Sequence, residues 1–123
     1  MTAYAYFSDD ELACKCGCKQ NRMDEDFMHL LEEMRREADF PFIISSAYRC
    51  PEWNAQTSHT GGTGPHTTGK AVDIKCSHEK AHKILGLAIK YGIHGIGISQ
   101  KGDWGSRFIH IDNARDDKKL WSY

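Results

Sequence analysis

Two short segments of the chain alternate between aliphatic and polar residues, and this alternation restricts the possible folds more than any other feature. The segments cover residues 71–76 and 107–112, and their aliphatic positions are Val72, Ile74, Ile109 and Ile111. Because successive side chains of a β-strand point to opposite faces, each segment predicts a strand with one aliphatic and one polar face. Asp73, His110 and Asp112 would then share the polar face of one sheet, and the aliphatic face needs a covering layer.

The rest of the chain supplies helices for this layer and two more strands. Helices are predicted after a capping box at Ser8-Asp9-Asp10-Glu11, over 25–38 after Asp24, over 52–56 after Pro51, and from Ser77 to Gly92. The last helix has an inner face of Ala81, Ile84, Leu85, Ala88 and Ile89. Strands are predicted over 42–46 and 95–99, and a Gly- and Thr-rich loop over 57–69. This order predicts one α+β domain over residues 1–123, with a small, mostly antiparallel sheet and helices on one side.

The charge balance and the hydropathy pattern exclude several classes of protein. Sixteen Lys and Arg nearly cancel seventeen Asp and Glu, so the chain lacks the basic excess that non-specific nucleic-acid binding needs. No apolar run approaches the roughly 18 residues that span a bilayer, and the first eight residues show no secretory signal. We therefore expect a protein made in the cytoplasm, with no nucleic-acid partner and no membrane insertion. We also expect a monomer.

Five cysteines cannot all pair within one chain, and three of them alternate as Cys14, Cys16 and Cys18. Such alternation places three sulfurs on one side of an extended segment. Three states are compatible with this pattern: reduced thiols, a thiolate zinc site completed by Cys50 or Cys76, and a disulfide to either of these two residues. The cysteines also leave open a redox or metal-storage function for the whole chain.

The polar face of the predicted sheet suggests a metal site. His66 precedes Asp73 by seven residues, and Gly69 between them lets the chain turn back. Two imidazoles and one carboxylate would then meet, with His110 as the second imidazole and a fourth position left open, as in catalytic zinc sites. The alternative is a set of structural residues, in which the histidines satisfy core hydrogen bonds and Asp73 pairs with a nearby lysine.

Four segments carry a resemblance to a known family. They are Ser45–Asn54, His66–Ile74 with its His-x-x-Gly-x-Ala-x-Asp pattern, Gly95–Ile98 and Phe108–Asp112. Together they resemble the M15 zinc peptidases, which include D-alanyl-D-alanine carboxypeptidases and phage L-alanyl-D-glutamate endolysins. The resemblance spans about 42–112 and implies the fold that these enzymes share with the amino-terminal domain of hedgehog proteins. The cysteine cluster also recurs ahead of this domain in phage-like members.

The resemblance implies a role for individual residues. It assigns His66, Asp73 and His110 as the ligands of Zn2+, and Arg49 as the arginine that faces the substrate. Ser46 and His59 are predicted as further substrate-binding residues. A guanidinium suits the bidentate grip of a peptide carboxylate. Arg49 or His59 would also stabilise the oxyanion that forms during hydrolysis.

The general base departs from the family pattern. Several relatives carry a carboxylate three residues before the last ligand or a histidine two residues before it, where this chain has Arg107 and Phe108. Asp112 shares the strand face of His110 and is the preferred substitute, and Asp103 in the preceding loop is the alternative. Asp112 could instead support a ligand imidazole by accepting its proton.

These residues predict a zinc-dependent peptidase that hydrolyses an amide bond beside a D-amino acid in the stem peptides of bacterial peptidoglycan. A non-catalytic zinc-containing module that binds the cell wall is the alternative, and the missing acid at position 107 is its best support. A wall-cutting enzyme without a signal would leave the cell by phage lysis or be carried in a virion or tail.

Overall fold

The computed structural model describes residues 4–58 and 61–123, which contain both helices and strands. The helices are α1 (Asp9–Leu12), α2 (Glu25–Ala38), α3 (Pro51–Thr57) and α4 (His78–Lys90). The strands are β1 (Ile43–Ser46), β2 (Ala71–Lys75), β3 (Gly95–Ser99), β4 (Phe108–Asp112) and β5 (Lys119–Ser122). Short 3-10 turns cover Gly61–Thr63, Pro65–Thr68 and Trp104–Ser106. All four predicted helices and all four predicted strands are present, and β5 was not predicted.

The first two helices begin where the sequence predicts. In α1 the backbone N–H of Glu11 donates to Ser8 Oγ at 3.2 Å, and the N–H of Ser8 donates to Glu11 Oε1 at 2.7 Å, which completes the capping box. In α2 the carboxylate of Asp24 accepts from the N–H of Phe27 at 2.9 Å. None of the described helices is both long and apolar enough to cross a bilayer.

The five strands form one sheet in the order β1-β2-β4-β3-β5. The pairs β1–β2, β2–β4 and β3–β4 are antiparallel, whereas β5 is parallel to β3. The sheet is therefore mixed, and the prediction of a mostly antiparallel sheet is wrong in this respect. The sequence gives little sign of β5 because it has only four residues on an edge, and its aliphatic Leu120 is 65% exposed.

The core lies on the aliphatic face of the sheet, where α2 and α4 cover it. The strand residues Val72, Ile74, Ile96, Ile109 and Ile111 are buried in one cluster with Phe27, Leu31, Met34, Ile84, Leu87 and Ala88 of these helices. The predicted inner face of α4 needs one correction, because Ile89 is 64% exposed and Leu87 is buried instead. The buried stripe follows 84, 87 and 88, which are neighbours on a helix surface. Helix α3 lies beside the polar face, where Asn54 and Thr57 line a cleft.

A β-bulge in β1 places Ser46 on the polar face of the sheet. Ile44 pairs with Ile74, but the next register position joins Ser46 to Asp73, so Ser45 is an extra residue in β1. Residues two apart on a regular strand would share a face. The extra residue lets Ile44 enter the core while Ser46 lies on the same side as Asp73.

Candidate metal centre

The pairing of β2 with β4 brings two of the three predicted ligands, Asp73 and His110, together. Asp73 and His110 are directly opposite in register, and His110 Nδ1 lies 2.9 Å from Asp73 Oδ1. His66 reaches the same oxygen from the Pro65–Thr68 turn, with Nε2 at 3.3 Å. The three ligand atoms all lie within 4.8 Å of one another, and the side chains of both histidines are nearly buried.

The turn that carries His66 depends on Gly69. Gly69 has φ of +76°, a left-handed conformation that favours glycine, and a Cβ at this position would overlap the carbonyl group of Arg22. Its own carbonyl accepts a hydrogen bond from the N–H of Asp24 at 2.9 Å, which ties the turn to the start of α2. The predicted return of the chain at this glycine is therefore present.

Each imidazole has one nitrogen turned towards Asp73 and the other occupied elsewhere. His66 Nδ1 lies 2.7 Å from the carbonyl oxygen of Ala47, which can only accept, so this nitrogen carries the proton. His110 Nε2 lies 2.6 Å from Asp112 Oδ2. Such partners fix the tautomer of metal-binding histidines and leave the second nitrogen available for an ion.

Asp112 lies behind His110 and is completely buried. Its Oδ1 accepts hydrogen bonds from the N–H of Ala114 and from Arg115 Nε, both at 3.2 Å. Space for the carboxylate exists because β3 has glycine at position 95, where a Cβ would overlap Asp112. Asp112 is not among the residues that line the cleft, so the geometry favours the support of His110 over the role of a base that contacts solvent.

The charges of these groups reinforce one another. Burial would raise the pKa of Asp73, but the adjacent imidazoles of His110 and His66 outweigh it and hold this pKa well below its usual range. Burial would lower the pKa of His110, but its hydrogen bonds to Asp112 and Asp73 raise it. The pKa of Asp112 is lowered by the hydrogen bond from His110 and by Arg115, against the effect of burial. Both carboxylates are therefore ionised at neutral pH.

The donor set fits a zinc ion. Zinc binds nitrogen and oxygen ligands at about 2.0–2.2 Å, and tetrahedral angles then place neighbouring ligand atoms about 3.3 Å apart. The two measured separations from Asp73 Oδ1, 3.3 Å and 2.9 Å, are close to this value. Three protein ligands leave the fourth position to water or substrate, which is typical of catalytic zinc sites.

The site opens into a cleft of about 620 Å³. Arg49 lines this cleft, and its Nη2 lies 3.9 Å from Asp73 Oδ2. Two neighbours hold its guanidinium: Nε donates to Ser46 Oγ at 3.0 Å, and Nη1 donates to Asn54 Oδ1 at 3.2 Å. Ser46, which was predicted to bind substrate, thus contacts the arginine that was given the same role.

The two other predicted residues are not part of this arrangement. Asp103, the alternative base, is exposed, and it is not among the residues that line the cleft. His59, predicted to bind substrate, lies outside the described residues.

One wall of the cleft was not predicted, because it comes from β5 and the residue after it. Lys119, Trp121 and Tyr123 line the cleft. The indole of Trp121 packs beside His110, with ring centroids 5.4 Å apart, and a Cβ at Gly97 would overlap this indole. The alternate glycines 95 and 97 are the sequence signal that could have indicated this wall, since both fall on the polar face of β3 and leave space there.

Three side chains at the floor of an open cleft could together hold one metal ion. The family model described as Peptidase M15 matches residues 5–112, and the chain therefore belongs to the M15 peptidases, a family of zinc metallopeptidases. Strand β5, with Trp121, lies beyond the matched residues. No curated protein and no solved structure matches the chain significantly.

Proposed function

We propose that the protein is a zinc peptidase that hydrolyses an amide bond next to a D-amino acid in the stem peptides of bacterial peptidoglycan. The observation that carries the proposal is the convergence of three ligand atoms, from His66, Asp73 and His110, at the floor of a cleft that also contains Arg49. The family match supports the peptidase class, and the resemblance to wall-cutting members supports the substrate.

The three ligand residues would hold the ion through His66 Nε2, Asp73 and His110 Nδ1. When bound, zinc supplies an activated water at neutral pH and polarises the carbonyl group of the substrate. The chain itself fixes the ligands: the carbonyl of Ala47 orients one imidazole and the carboxylate of Asp112 orients the other.

Arg49 is well placed to bind a carboxylate of the substrate. Its side chain is 18% exposed, and the hydrogen bonds from its guanidinium to Ser46 and Asn54 restrict its position beside Asp73. A guanidinium that is already ordered loses little entropy when it binds a carboxylate. Lys119 adds a second cation on the β5 side of the cleft. Peptidoglycan stem peptides carry several carboxylates, and this matches a cleft with cationic walls.

The aromatic residues of the cleft provide an apolar surface for the remainder of the peptide. Phe108 and Tyr123 contact each other, with ring centroids 5.2 Å apart, and Trp121 lies on the same side near His110. Aromatic side chains present large contact areas with few rotatable bonds. We propose that they exclude water from the substrate backbone near the metal.

The second candidate function is a non-catalytic zinc-containing module that binds the cell wall. One observation favours it: of the described residues that line the cleft, Asp73 is the only carboxylate, and it is a proposed metal ligand. In the catalytic proposal, Asp112 acts through His110 as a positioning residue. Either function requires access to the wall, and we propose phage lysis or delivery in a virion or tail as the route.

The test measures metal content and wall cleavage on the same preparations. We expect His66→Ala and Asp73→Ala to lose one zinc per chain by elemental analysis and to release no peptides from purified peptidoglycan, as read by mass spectrometry. His82→Ala, which removes an exposed histidine of α4, is the matched control and should keep both. Cleavage by a variant that lacks this metal would overturn the peptidase proposal. Zinc and wall binding without turnover in the unmodified protein would favour the binding module.

A further inference from the structure

The structure brings four cysteine sulfurs together at a second place, formed by the chain after α1 and the residue before α3. Cys14 Sγ lies 3.5 Å from Cys16 Sγ and 3.6 Å from Cys50 Sγ, and the distance between the latter two is 3.7 Å. Cys18 completes the group, and all four sulfurs lie within 4.8 Å of one another. Four thiols this close could all contact one ion at their centre.

The spacing of the sulfurs fits zinc. Zinc binds thiolates at about 2.3 Å, and a tetrahedron of this size has sulfur atoms about 3.8 Å apart. The three measured distances, 3.5–3.7 Å, are close to this value and nearly equal to one another. A disulfide between two of the four would break this equality, and all of the cysteines are free in the structure. An iron–sulfur cluster would spread its thiolates over several iron atoms, whereas these sulfurs surround the space of one ion.

The backbone around these cysteines holds the sulfurs in place. The N–H of Cys14 donates to the carbonyl of Gln20 at 2.8 Å, which closes the segment that contains three of the cysteines. Gly17 has φ of +99°, so this segment needs glycine at its turn. The N–H of Cys50 donates to Cys14 Sγ at 3.3 Å, a hydrogen bond that favours the thiolate form of the sulfur.

The structure also decides between the two cysteines that could complete the group. Cys76 is buried in the main core, where its Sγ lies 3.3 Å from the carbonyl oxygen of Ile74. Cys50 instead lies in a separate small cluster with Cys14 and Tyr48.

We propose that Cys14, Cys16, Cys18 and Cys50 bind a second zinc ion in a closed, structural site. Four thiolates occupy every position of a tetrahedral ion, so no position remains for water or substrate. The site joins the segment after α1 to the segment 47–50. Segment 47–50 also fixes the position of His66 in the candidate metal centre. The carbonyl of Ala47 accepts a hydrogen bond from His66 Nδ1, and the N–H of Arg49 donates to the carbonyl of His66 at 3.1 Å. The second ion therefore stabilises the position of Arg49.

The experiment measures metal binding at the four cysteines in a chain whose other candidate metal site has been removed by the substitution His66→Ala. We expect the His66→Ala chain, purified under reducing conditions, to contain one zinc per chain by elemental analysis. Exchange of this zinc for cobalt should give the intense thiolate-to-cobalt charge-transfer absorption of a tetrathiolate site. The chain His66→Ala with Cys18→Ser should lose most of this absorption. Cys18 is exposed, so its substitution leaves the core intact. The matched control, His66→Ala with Cys76→Ser, should keep the ion and the spectrum.

Thiol alkylation gives a second measurement that does not depend on further variants. In the His66→Ala chain, the four clustered thiols should resist alkylation until a chelator is added and should then all react. A zinc-free His66→Ala chain with reactive thiols, or a disulfide between any two of the four, would overturn the proposal. Because the His66→Ala chain carries no peptidase site, this outcome is independent of the function proposed above.

Discussion

The two ligand clusters of this small domain are built in opposite ways. The cluster of His66, Asp73 and His110 mixes nitrogen and oxygen ligands, is assembled from distant parts of the chain, and faces a cleft of about 620 Å³. The thiolate cluster has four identical donors, three of them within five residues, and no residue of this cluster lines the cleft. An open position permits chemistry, whereas a closed shell contributes stability. We therefore propose hydrolysis for the first cluster and a structural role for the second.

The largest expected effect separates the two clusters by function. Asp73→Asn replaces the carboxylate that both imidazoles face, and we expect peptidoglycan cleavage to fall below detection while the chain still folds and unfolds cooperatively in urea. Cleavage is measured by the peptides released, and stability by urea unfolding. A chain that unfolds when this carboxylate is neutralised would contradict the division of roles.

The reciprocal substitution removes one thiolate. We expect Cys50→Ser to lower the free energy of unfolding by roughly 3–5 kcal/mol, because metal binding in closed sites is coupled to folding. Urea unfolding with and without a chelator measures this effect, and the chelator should add little in the variant. Cys76→Ala is the control for the loss of a buried thiol and should lower stability by only about 1 kcal/mol. Equal losses of unfolding free energy in both variants would indicate that Cys50 contributes only by packing and not by binding a metal.

A smaller effect distinguishes a positioning residue from a base at the open site. Asp112→Asn retains the shape of the side chain but weakens the hold on His110, and we expect roughly a 10–100-fold loss in zinc affinity or in kcat/KM. Zinc affinity is measured by competition with a chelator. Asp103→Asn should leave both quantities unchanged. A loss of kcat at unchanged zinc affinity in Asp112→Asn would instead identify Asp112 as the base.

The wall formed by β5 should give a still smaller effect on activity. Trp121→Ala removes the indole beside His110, and we expect KM for the peptide to rise by roughly tenfold with kcat less affected, since the wall contacts substrate rather than the reacting atoms. Steady-state kinetics on a soluble stem peptide measure both constants. The control is Leu120→Ala on the opposite, exposed face of β5, where no change is expected.

The smallest expected effect is on the acid stability of the chain. The pKa of Asp112 is lowered in the folded chain, so its contribution to stability is present above its unfolded pKa and is lost as the pH falls through the lower, folded value. Below pH of about 4, the ordinary value for Asp, the unmodified chain should lose stability more steeply than Asp112→Asn. Urea unfolding at several acidic pH values compares the two chains. An equal dependence of their unfolding free energies on pH would contradict the lowered pKa of Asp112.

Strand parity predicted that Asp73 and His110 share one face of the sheet, and their pairing in register confirms it. The full set of three ligands, with His66, was predicted from the resemblance to the M15 peptidases. Parity also placed Asp112 on that face, but it could not show that the carboxylate points away from the cleft. That result depends on the missing side chain at Gly95 and on Arg115, which lies beyond the strand. The general base therefore stays a prediction to be tested.

The thiolate cluster and β5 show where sequence reasoning was insufficient. The spacing of Cys14, Cys16 and Cys18 is not the usual spacing of zinc ligands, and nothing in the sequence decided between Cys50 and Cys76 as the fourth residue. The choice follows from the position of β1 and α3, which is a tertiary property. Strand β5 is too short for its alternation to be recognised, and it is fixed by pairing with β3.

Residues 47–49 connect Cys50 of one cluster to the carbonyl of Ala47 that contacts His66 of the other, and this arrangement has a practical consequence. If the four cysteines bind zinc as proposed, air oxidation of the exposed Cys16 and Cys18 during storage would release this zinc and loosen these residues, although no residue of the other cluster is altered. Preparations would then lose activity gradually while circular dichroism still reported a folded protein. Reductant and a slight excess of zinc in the buffer should preserve the activity of the protein on the shelf.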